Sequence, residues 1–132
     1  MANLAVSSVF GQYENSMWYF GDRIMLDLNC DPPRPVSTNL PHTILAGGSS
    51  ISQSCGDIQY YTNGEVVFFR DGSPLINGSG LGGDQNKPNS ALFLRHPNTA
   101  DSGMFTFLFT ASNSGIRVYR IITPTMPGTP PV

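Results

Sequence analysis

The chain is built from short segments in which apolar and polar residues alternate. Between Arg23 and Cys30, the side chains of Ile24, Leu26 and Leu28 share one side of an extended segment with Cys30. An alternation with a period of two residues is typical of a β-strand that buries one face. We therefore predict a half-buried strand over 23–30, with Leu26 and Leu28 pointing into a core.

Further strands are predicted where β-branched and aromatic residues recur between short polar breaks. Asn63-Gly64 favours a tight hairpin turn because both residues accept positive φ angles, and Asp71-Gly72 indicates a second turn. Ser112 to Gly115 is predicted to close another hairpin. The strands expected from these patterns are 57–61, 65–70, 91–95, 104–111 and 116–122.

No segment has the period of an amphipathic helix, so the chain is predicted to be all-β, with several short strands that form a sandwich or a barrel. Two stretches, 31–54 and 72–89, look irregular and are expected to be long loops. Residues 1–122 are predicted to form one domain. Residues 123–132 are rich in Pro, which cannot donate to a β-ladder, and are predicted to be a linker or stalk.

The composition excludes some classes of partner. Only 12% of the 132 residues are charged, and the formal net charge is −2. The arginines are scattered along the chain, so no basic stripe exists to follow a phosphate backbone, and no nucleic-acid partner is expected. No apolar run approaches the roughly 20 residues of a membrane-spanning helix. Any membrane attachment is expected through a segment outside this sequence.

Catalytic, cofactor and metal sites are not predicted, and the chain is not expected to be an enzyme. His42 and His96 are the only histidines, and both are next to prolines, where surface positions explain them. The glycines of 78–83 do not open a helix after a strand, as phosphate-binding loops do. Asp71 and Asp84 lie outside any calcium-loop pattern.

Three segments, in this order, resemble the immunoglobulin superfamily. Residues 21–30 resemble its strand B with the first core cysteine, and residues 58–65 resemble its strand C. Residues 92–107 resemble its strand E and the approach to strand F. The resemblance covers roughly residues 16 to 122 and implies a variable-type (V-set-like) β-sandwich. Its departures lie at core positions, where Tyr60 replaces Trp, Phe105 replaces Tyr and Phe107 replaces the second cysteine.

The resemblance implies a fold without the usual disulfide between strands B and F. Phe107 is expected to fill that volume by apolar packing. The implied core residues are Leu26, Leu28, Tyr60, Leu94, Phe105 and Phe107. The E–F corner is expected at Asp101 and Gly103, with Arg70 as the partner of Asp101.

Cys30 and Cys55 are the only cysteines, and in a secreted domain they are expected to pair. The alternative is two free thiols, or a Cys30 buried as a small apolar residue. Asn77-Gly78-Ser79 fits the N-glycosylation sequon, which predicts a glycan on Asn77.

A partner-binding face follows from the implied core. If Tyr60, Phe105 and Phe107 point inward, their neighbours point to the opposite face of the sheet. The residues expected on this face are Gln59, Tyr61, Phe69, Thr106, Leu108, Arg117 and Tyr119. Large aromatic side chains and arginine suit a protein interface. The alternative is that a neighbouring domain or the long loops cover this face.

The expected function is extracellular recognition or adhesion, with binding to a protein partner and in particular to a second copy. The chain resembles variable-type receptor tips, and the altered core positions resemble the allorecognition receptors of colonial hydroids. The expected location is the cell surface or the secreted fraction. Alternatives are a secreted viral or parasite decoy, a heterophilic immune receptor tip, and a carbohydrate-binding module or enzyme on a β-sandwich.

Overall fold

The computed structural model describes residues 15–53, 56–96 and 105–123. This part of the chain contains no helical element and ten antiparallel strands, which confirms the all-β prediction. The strands are β1 Met17–Gly21, β2 Ile24–Asp27, β3 Arg34–Ser37, β4 Ser49–Ser52, β5 Ile58–Thr62, β6 Val66–Phe69, β7 Pro74–Ser79, β8 Ala91–Arg95, β9 Phe105–Ser112 and β10 Gly115–Ile122.

The strands form three antiparallel sheets in chain order. Sheet 1 has the order β1-β2-β3, sheet 2 has the order β4-β5-β6-β7, and sheet 3 has the order β8-β9-β10. Each sheet is a meander, because every strand pairs with its neighbour in sequence. The first strand of sheet 2, β4, lies beside the first strands of the other two sheets, β1 and β8. Sheet 2 is therefore the middle layer.

The predicted hairpin turns are confirmed and have a local cause. The Asn63 side chain accepts hydrogen bonds from the backbone N–H groups of Glu65 and Val66 at 3.0 and 2.9 Å, and Gly64 has φ +93°. At the next turn, Asp71 Oδ1 accepts from the backbone and hydroxyl of Ser73. These hydrogen bonds are formed within the turns, by the side chains of the turn residues themselves.

The sequence patterns do not predict four of the strands. The predicted loop 31–54 contains β3 and β4, the predicted loop 72–89 contains β7, and β1 was not predicted. β4 is Ser-Ser-Ile-Ser, which has almost no apolar alternation, and β3 and β7 contain Pro. Their pairing is supplied by neighbouring strands, and intrinsic β-propensity contributes little.

A first core cluster joins sheet 2 to sheet 3. Tyr60 and Val67 of sheet 2 pack with Phe93 and Leu108 of sheet 3, and each is almost fully buried. The remaining buried members are Ile51, Leu81, Ala91 and Ile121. The Thr110 hydroxyl crosses this interface and donates to the carbonyl of Leu81 at 2.9 Å.

A second core cluster joins sheet 2 to sheet 1. Tyr61 and Phe68 lie on the other face of sheet 2 and pack with Tyr19 of β1. Leu40 and Ile44, from the segment between β3 and β4, complete this layer. Adjacent Tyr60 and Tyr61 are 1% and 0% exposed, so sheet 2 is covered on both faces. The described part of the chain therefore has a separate core cluster on each face of sheet 2.

His42 belongs to the segment that covers the second cluster. Its ring stacks on Phe68 with centroids 3.7 Å apart, and Nε2 lies 2.8 Å from the carbonyl oxygen of Gly72. The Tyr19 hydroxyl donates to the carbonyl of His42. The sequence prediction of a plain surface position was therefore wrong for His42, which holds residues 38–48 against sheet 2.

For three strands, the side predicted to be buried is the wrong one. Leu28 and Leu94 are exposed, Leu26 is half-buried, and β2 turns Asp27 inward. On β9, Phe105 and Phe107 are half-buried on the outer side, while Leu108 points inward with Thr106 and Thr110. Of the six predicted core residues, only Tyr60 is buried. Phe107 therefore does not fill the volume of a core cysteine.

The strand pairing also departs from the variable-type order. In that order strands E and F belong to opposite sheets, and strand F pairs with strand C. Here β8 and β9 are neighbours in sheet 3, and β5 pairs with β4 and β6. Packed antiparallel sheets are present, but they are three meanders, an up-and-down arrangement that also builds the blades of β-propellers.

Several predicted residues lie at or beyond the limits of the described residues. Cys30 is half-buried, and its thiol forms no disulfide with any of the described residues. Its sulfur lies 3.5 Å from Asp27 Oδ2. Cys55, Asp101 and Gly103 are not among the described residues. The disulfide between Cys30 and Cys55 and the E–F corner therefore stay predictions. Arg70, the expected partner of Asp101 at that corner, is exposed.

The predicted linker 123–132 begins inside the described part of the chain. The hydroxyl of Thr123 lies 3.2 Å from the Tyr60 hydroxyl and 3.4 Å from Gln59 Nε2. The first residue of the predicted linker is therefore held against β5. Residues 124–132 lie outside the described residues.

Leu108→Ala should lower the free energy of unfolding by about 2 to 5 kcal/mol, because it leaves a cavity between sheets 2 and 3. Leu94→Ala is the matched control: Leu94 is 47% exposed and Leu108 is 0% exposed. The control should cost less than about 1 kcal/mol. Urea unfolding followed by tyrosine fluorescence measures both. Equal losses for the two variants would contradict the inward direction assigned to Leu108.

Asp27 should make the fold sensitive to acid. The backbone N–H of Asn29 donates to Oδ1 at 2.9 Å and lowers the pKa of Asp27, with smaller help from the Asn29 amide, Cys30 and Arg34. This contribution is complete above about pH 5, where an unfolded Asp is ionised, and is lost as the pH falls through the lowered pKa. Asp27→Asn should flatten the decline in the urea midpoint between pH 6 and pH 2.5. Parallel declines in both proteins would contradict this assignment.

Candidate functional site

The binding face predicted from the sequence is not a surface. Tyr61, Thr106 and Leu108 are fully buried between the sheets. Burial raises the pKa of the Tyr61 hydroxyl well above its ordinary value, so this phenol stays neutral. No partner protein can reach these three side chains in the folded chain. The prediction that they form part of an exposed face is therefore wrong.

The other four residues predicted for that face do not form a common surface either. Half-buried Tyr119 donates its hydroxyl to the carbonyl of Leu81 at 2.7 Å, and half-buried Phe69 packs against the first core cluster. Gln59 is half-buried and accepts from Arg95 at 2.7 Å. Arg117 is exposed, and its guanidinium lies against the backbone at Gly82. These side chains support the packing of sheet 3 on sheet 2.

An extensive exposed apolar surface lies on the opposite side of sheet 3. We call it the outer face of sheet 3. It consists of alternate residues of the three strands, which are Leu92 and Leu94 of β8, Phe105, Phe107, Phe109 and Ala111 of β9, and Ile116, Val118, Arg120 and Ile122 of β10.

Strand register places these residues side by side. Leu92 lies opposite Phe109, and Phe109 lies opposite Val118, so three apolar side chains cross the sheet in one row. Leu94, Phe107 and Arg120 form the next row. Strands about 4.8 Å apart and about 3.4 Å per residue give this face dimensions of roughly 10 by 25 Å.

The aliphatic residues of this face are well exposed to solvent. Ile116 is 74% exposed, and Leu92, Val118 and Ile122 are each more than half exposed. Monomeric soluble proteins rarely leave a contiguous apolar patch of this kind uncovered. The three phenylalanines of this face are half-buried. The face therefore has the composition of an interface core.

One end of the outer face carries its aromatic and basic groups. The Arg120 guanidinium lies over the ring of Phe105 at 5.2 Å from its centroid. The ring of His96, just after β8, approaches Phe107 with centroids 5.7 Å apart. Arg120 is thus the one charged side chain among the alternating positions that define this face. A partner surface is therefore expected to be apolar in its middle and polar only near this end.

An open depression of about 330 Å³ lies at the other end of the face. Its lining includes Leu92, Leu94, Phe109, Ala111 and Ile116 of this face. A shallow and apolar shape suits a side chain from a partner surface, and offers few groups for orienting a polar substrate. Among the described residues, no three His, Cys, Asp or Glu side chains are grouped closely enough to hold a metal ion.

Sequence reasoning missed this face because β9 offers two plausible inner sides. Its sequence over 105–110 is Phe-Thr-Phe-Leu-Phe-Thr, and hydrophobicity alone favours burying the phenylalanines. The structure buries the side with Thr106, Leu108 and Thr110. Leu94, Ile116 and Val118 share a side with Phe107 only once strand pairing is known, so the sequence alone gives no signal that separates the two sides.

Comparison with known protein families, with curated proteins and with solved structures finds no match to this chain. Within the described ranges, no helix is long and apolar enough to cross a bilayer. Functional inference therefore depends on the geometry and chemistry of the outer face of sheet 3.

The outer face of sheet 3 should bind an apolar fluorescent dye such as 8-anilinonaphthalene sulfonate. Val118→Thr removes apolar surface from the middle of the face and should lower the dye fluorescence clearly. Ile76→Thr is the control, since Ile76 is 86% exposed but stands alone on β7. A larger decrease for Ile76→Thr than for Val118→Thr would contradict the assignment of this face as the main apolar surface.

Proposed function

We propose that this chain is a protein-recognition module that binds its partner through the outer face of sheet 3. The proposal rests on one observation. Leu92, Ile116 and Val118 are exposed and belong to one apolar surface, whose residues strand pairing aligns across the sheet. Covering such a surface releases roughly 25 cal/mol for each Å² of apolar area. The proposal keeps the expected class of function but moves the binding surface to the other side of the sheet.

The chemistry of the face favours a partner that presents another apolar β-sheet. Inside this chain, sheet 3 already packs its inner face on sheet 2, and sheet 2 packs its other face on sheet 1. The register of β8, β9 and β10 is unbroken, and a regular sheet can pack face to face on another sheet with an interlayer spacing of about 10 Å. A second copy of the chain offers such a partner, and homophilic recognition is the form of the function that we propose.

The extracellular location remains part of the proposal. Asn77, the predicted glycosylation site, is an exposed residue of β7 with φ 59°. It belongs to sheet 2, so a glycan there would not lie on the outer face of sheet 3. The strand pairing differs from the variable-type order. Membership of the immunoglobulin superfamily is therefore not part of the proposal. It depends on the exposed surface alone.

Sedimentation of the purified chain over a wide concentration range tests the proposal. The wild-type chain should self-associate, and Val118→Glu should weaken association at least about 100-fold, because complex formation would bury an unpaired carboxylate. Ile76→Glu places the same charge on sheet 2 and should associate like the wild type. Val118 is 56% exposed, so its replacement should leave the thermal unfolding midpoint nearly unchanged.

Two results would overturn the proposal in this form. One is a wild-type chain that stays monomeric at every concentration reached. The other is a Val118→Glu chain that associates as strongly as the wild type. An equal loss of association in the Ile76→Glu chain would show that net charge, and not the outer face of sheet 3, controls association.

A further inference from the structure

The edge strands of the three sheets differ in how they are protected. Each sheet has two edge strands, and three of these, β1, β4 and β8, lie beside one another, with β4 in the middle. Two more contain proline, which has no N–H to donate: Pro35 in β3 and Pro74 in β7. The pairing of β7 with β6 is also irregular. The remaining edge strand is β10, and no described strand pairs with its outer side.

β10 lacks the features that usually protect an exposed edge. It is eight residues long, contains no proline, and pairs with β9 over its whole length without a shift of register. Natural edge strands are mostly short, bulged, covered or interrupted by proline, because an open row of N–H and C=O groups pairs with other chains. Ile116, Val118 and Ile122 are each more than half exposed. The outer side of β10 is therefore accessible to another strand.

Strand pairing shows which backbone groups of β10 point to the open edge. In β9, the N–H of Ala111 donates to the carbonyl of Ser90, and the carbonyl of Phe105 accepts from the residue after β8. Odd-numbered residues of β9 therefore bond toward β8, and its even-numbered residues bond toward β10. The register pairs those even-numbered residues with the odd-numbered residues of β10. The residues of β10 whose N–H and C=O groups point to the open edge are then Ile116, Val118, Arg120 and Ile122.

The two arginines of β10 are held by the chain itself. Charged side chains that extend from an edge strand discourage pairing with another chain. The Arg120 guanidinium lies over the ring of Phe105 in β9, on the side away from the open edge. The Arg117 guanidinium lies against the backbone at Gly82. Neither arginine therefore has to be moved from a free position in solvent for a strand to approach β10.

A second copy of the chain carries the complement of this edge. In antiparallel pairing about a two-fold axis, an edge meets itself, and each N–H faces a C=O. With Val118 opposite its own counterpart, Ile116 lies opposite Arg120. Arg117 then lies opposite Tyr119, so no two like charges are directly opposed. Antiparallel pairing also continues the arrangement that already joins β8, β9 and β10.

We propose that two copies of this chain pair through the open edges of β10, antiparallel, and form one continuous six-stranded sheet from the two copies of sheet 3. Backbone hydrogen bonds carry this contact, so the inference does not rest on the proposed function, which uses the outer face of sheet 3. The side chains of Ile116 and Val118 stay on that outer face, because side chains alternate along a strand. Edge pairing therefore joins the outer faces of two copies into one wider apolar surface.

Sedimentation of a Leu92→Glu chain tests the edge separately from the face. Leu92 belongs to β8, which β9 separates from β10, so the charge blocks the outer face and leaves the open edge unchanged. This chain should form a dimer, whereas the wild type, which has both surfaces, should form larger assemblies. Addition of Val118→Pro should weaken the dimer at least about 100-fold, because each copy loses an N–H donor and places a proline ring in the pairing.

Val118→Ala in the Leu92→Glu chain is the matched control. Alanine removes apolar area at the same position but keeps the N–H, so dimer affinity should stay within about tenfold of the Leu92→Glu chain. The N–H of Val118 makes no bond to β9, so Val118→Pro should keep the fold, which thermal unfolding checks. Ile116→Pro and Ile116→Ala provide a second matched pair if Val118→Pro unfolds.

Hydrogen exchange measured by NMR on the Leu92→Glu chain locates the contact. The N–H groups of Ile116, Val118 and Arg120 should exchange quickly in dilute solution and become protected as the dimer forms. The N–H groups of Arg117 and Tyr119 bond to β9 and should be protected at every concentration. Protection of the first set in the monomer would overturn the inference, because the chain itself would then cover its edge.

The outcomes separate edge pairing from the proposed function. A Leu92→Glu chain that stays monomeric while the wild type associates overturns edge pairing and keeps the proposed function. Equal association of the Val118→Pro and Val118→Ala chains also overturns edge pairing. If the wild type forms only the dimer that the Leu92→Glu chain forms, the proposed contact through the outer face fails and edge pairing stands.

Discussion

The structure depends on the burial of sheet 2 on both of its faces. Tyr60 and Tyr61 are neighbours in β5, and strand geometry sends them to opposite sides of the sheet. Both are almost completely buried, so each side must be covered by other parts of the chain. Sheet 3 covers Tyr60, while sheet 1 and residues 38–48 cover Tyr61. Without either layer, a large aromatic surface of sheet 2 would be in water.

The same requirement explains why the two end sheets differ from the middle one. Sheets 1 and 3 each have one covered face, and their other faces carry exposed apolar residues, among them Phe20, Leu92 and Val118. The outer face of sheet 3 is the surface that we propose for recognition. At the interfaces between the sheets, by contrast, residues with small hydroxyl side chains are buried. Serines of β4 and Thr110 let the sheets approach closely, because their hydroxyls satisfy backbone groups at the interfaces.

The proposed binding surface and the residues that stabilise the core therefore lie on opposite sides of sheet 3. Leu108 and Phe93 hold it on sheet 2, whereas Phe107, Phe109 and Val118 are available to another surface. Strand pairing aligns the exposed residues into rows, and no single strand carries the site. The proposed recognition surface is thus a property of the paired sheet and depends on the correct register of β8, β9 and β10.

The sequence by itself determined the all-β class and several turns, because these depend on neighbouring residues. Asn63-Gly64 and Asp71-Gly72 close their turns with their own side chains and positive φ angles. Tertiary structure alone decided which side of each strand is buried. In β9, both sides are apolar enough to face a core, and close packing against Leu81 and Tyr60 selects the side with Leu108. The strand β4, which is mostly serine, likewise exists only because β1, β5 and β8 lie beside it.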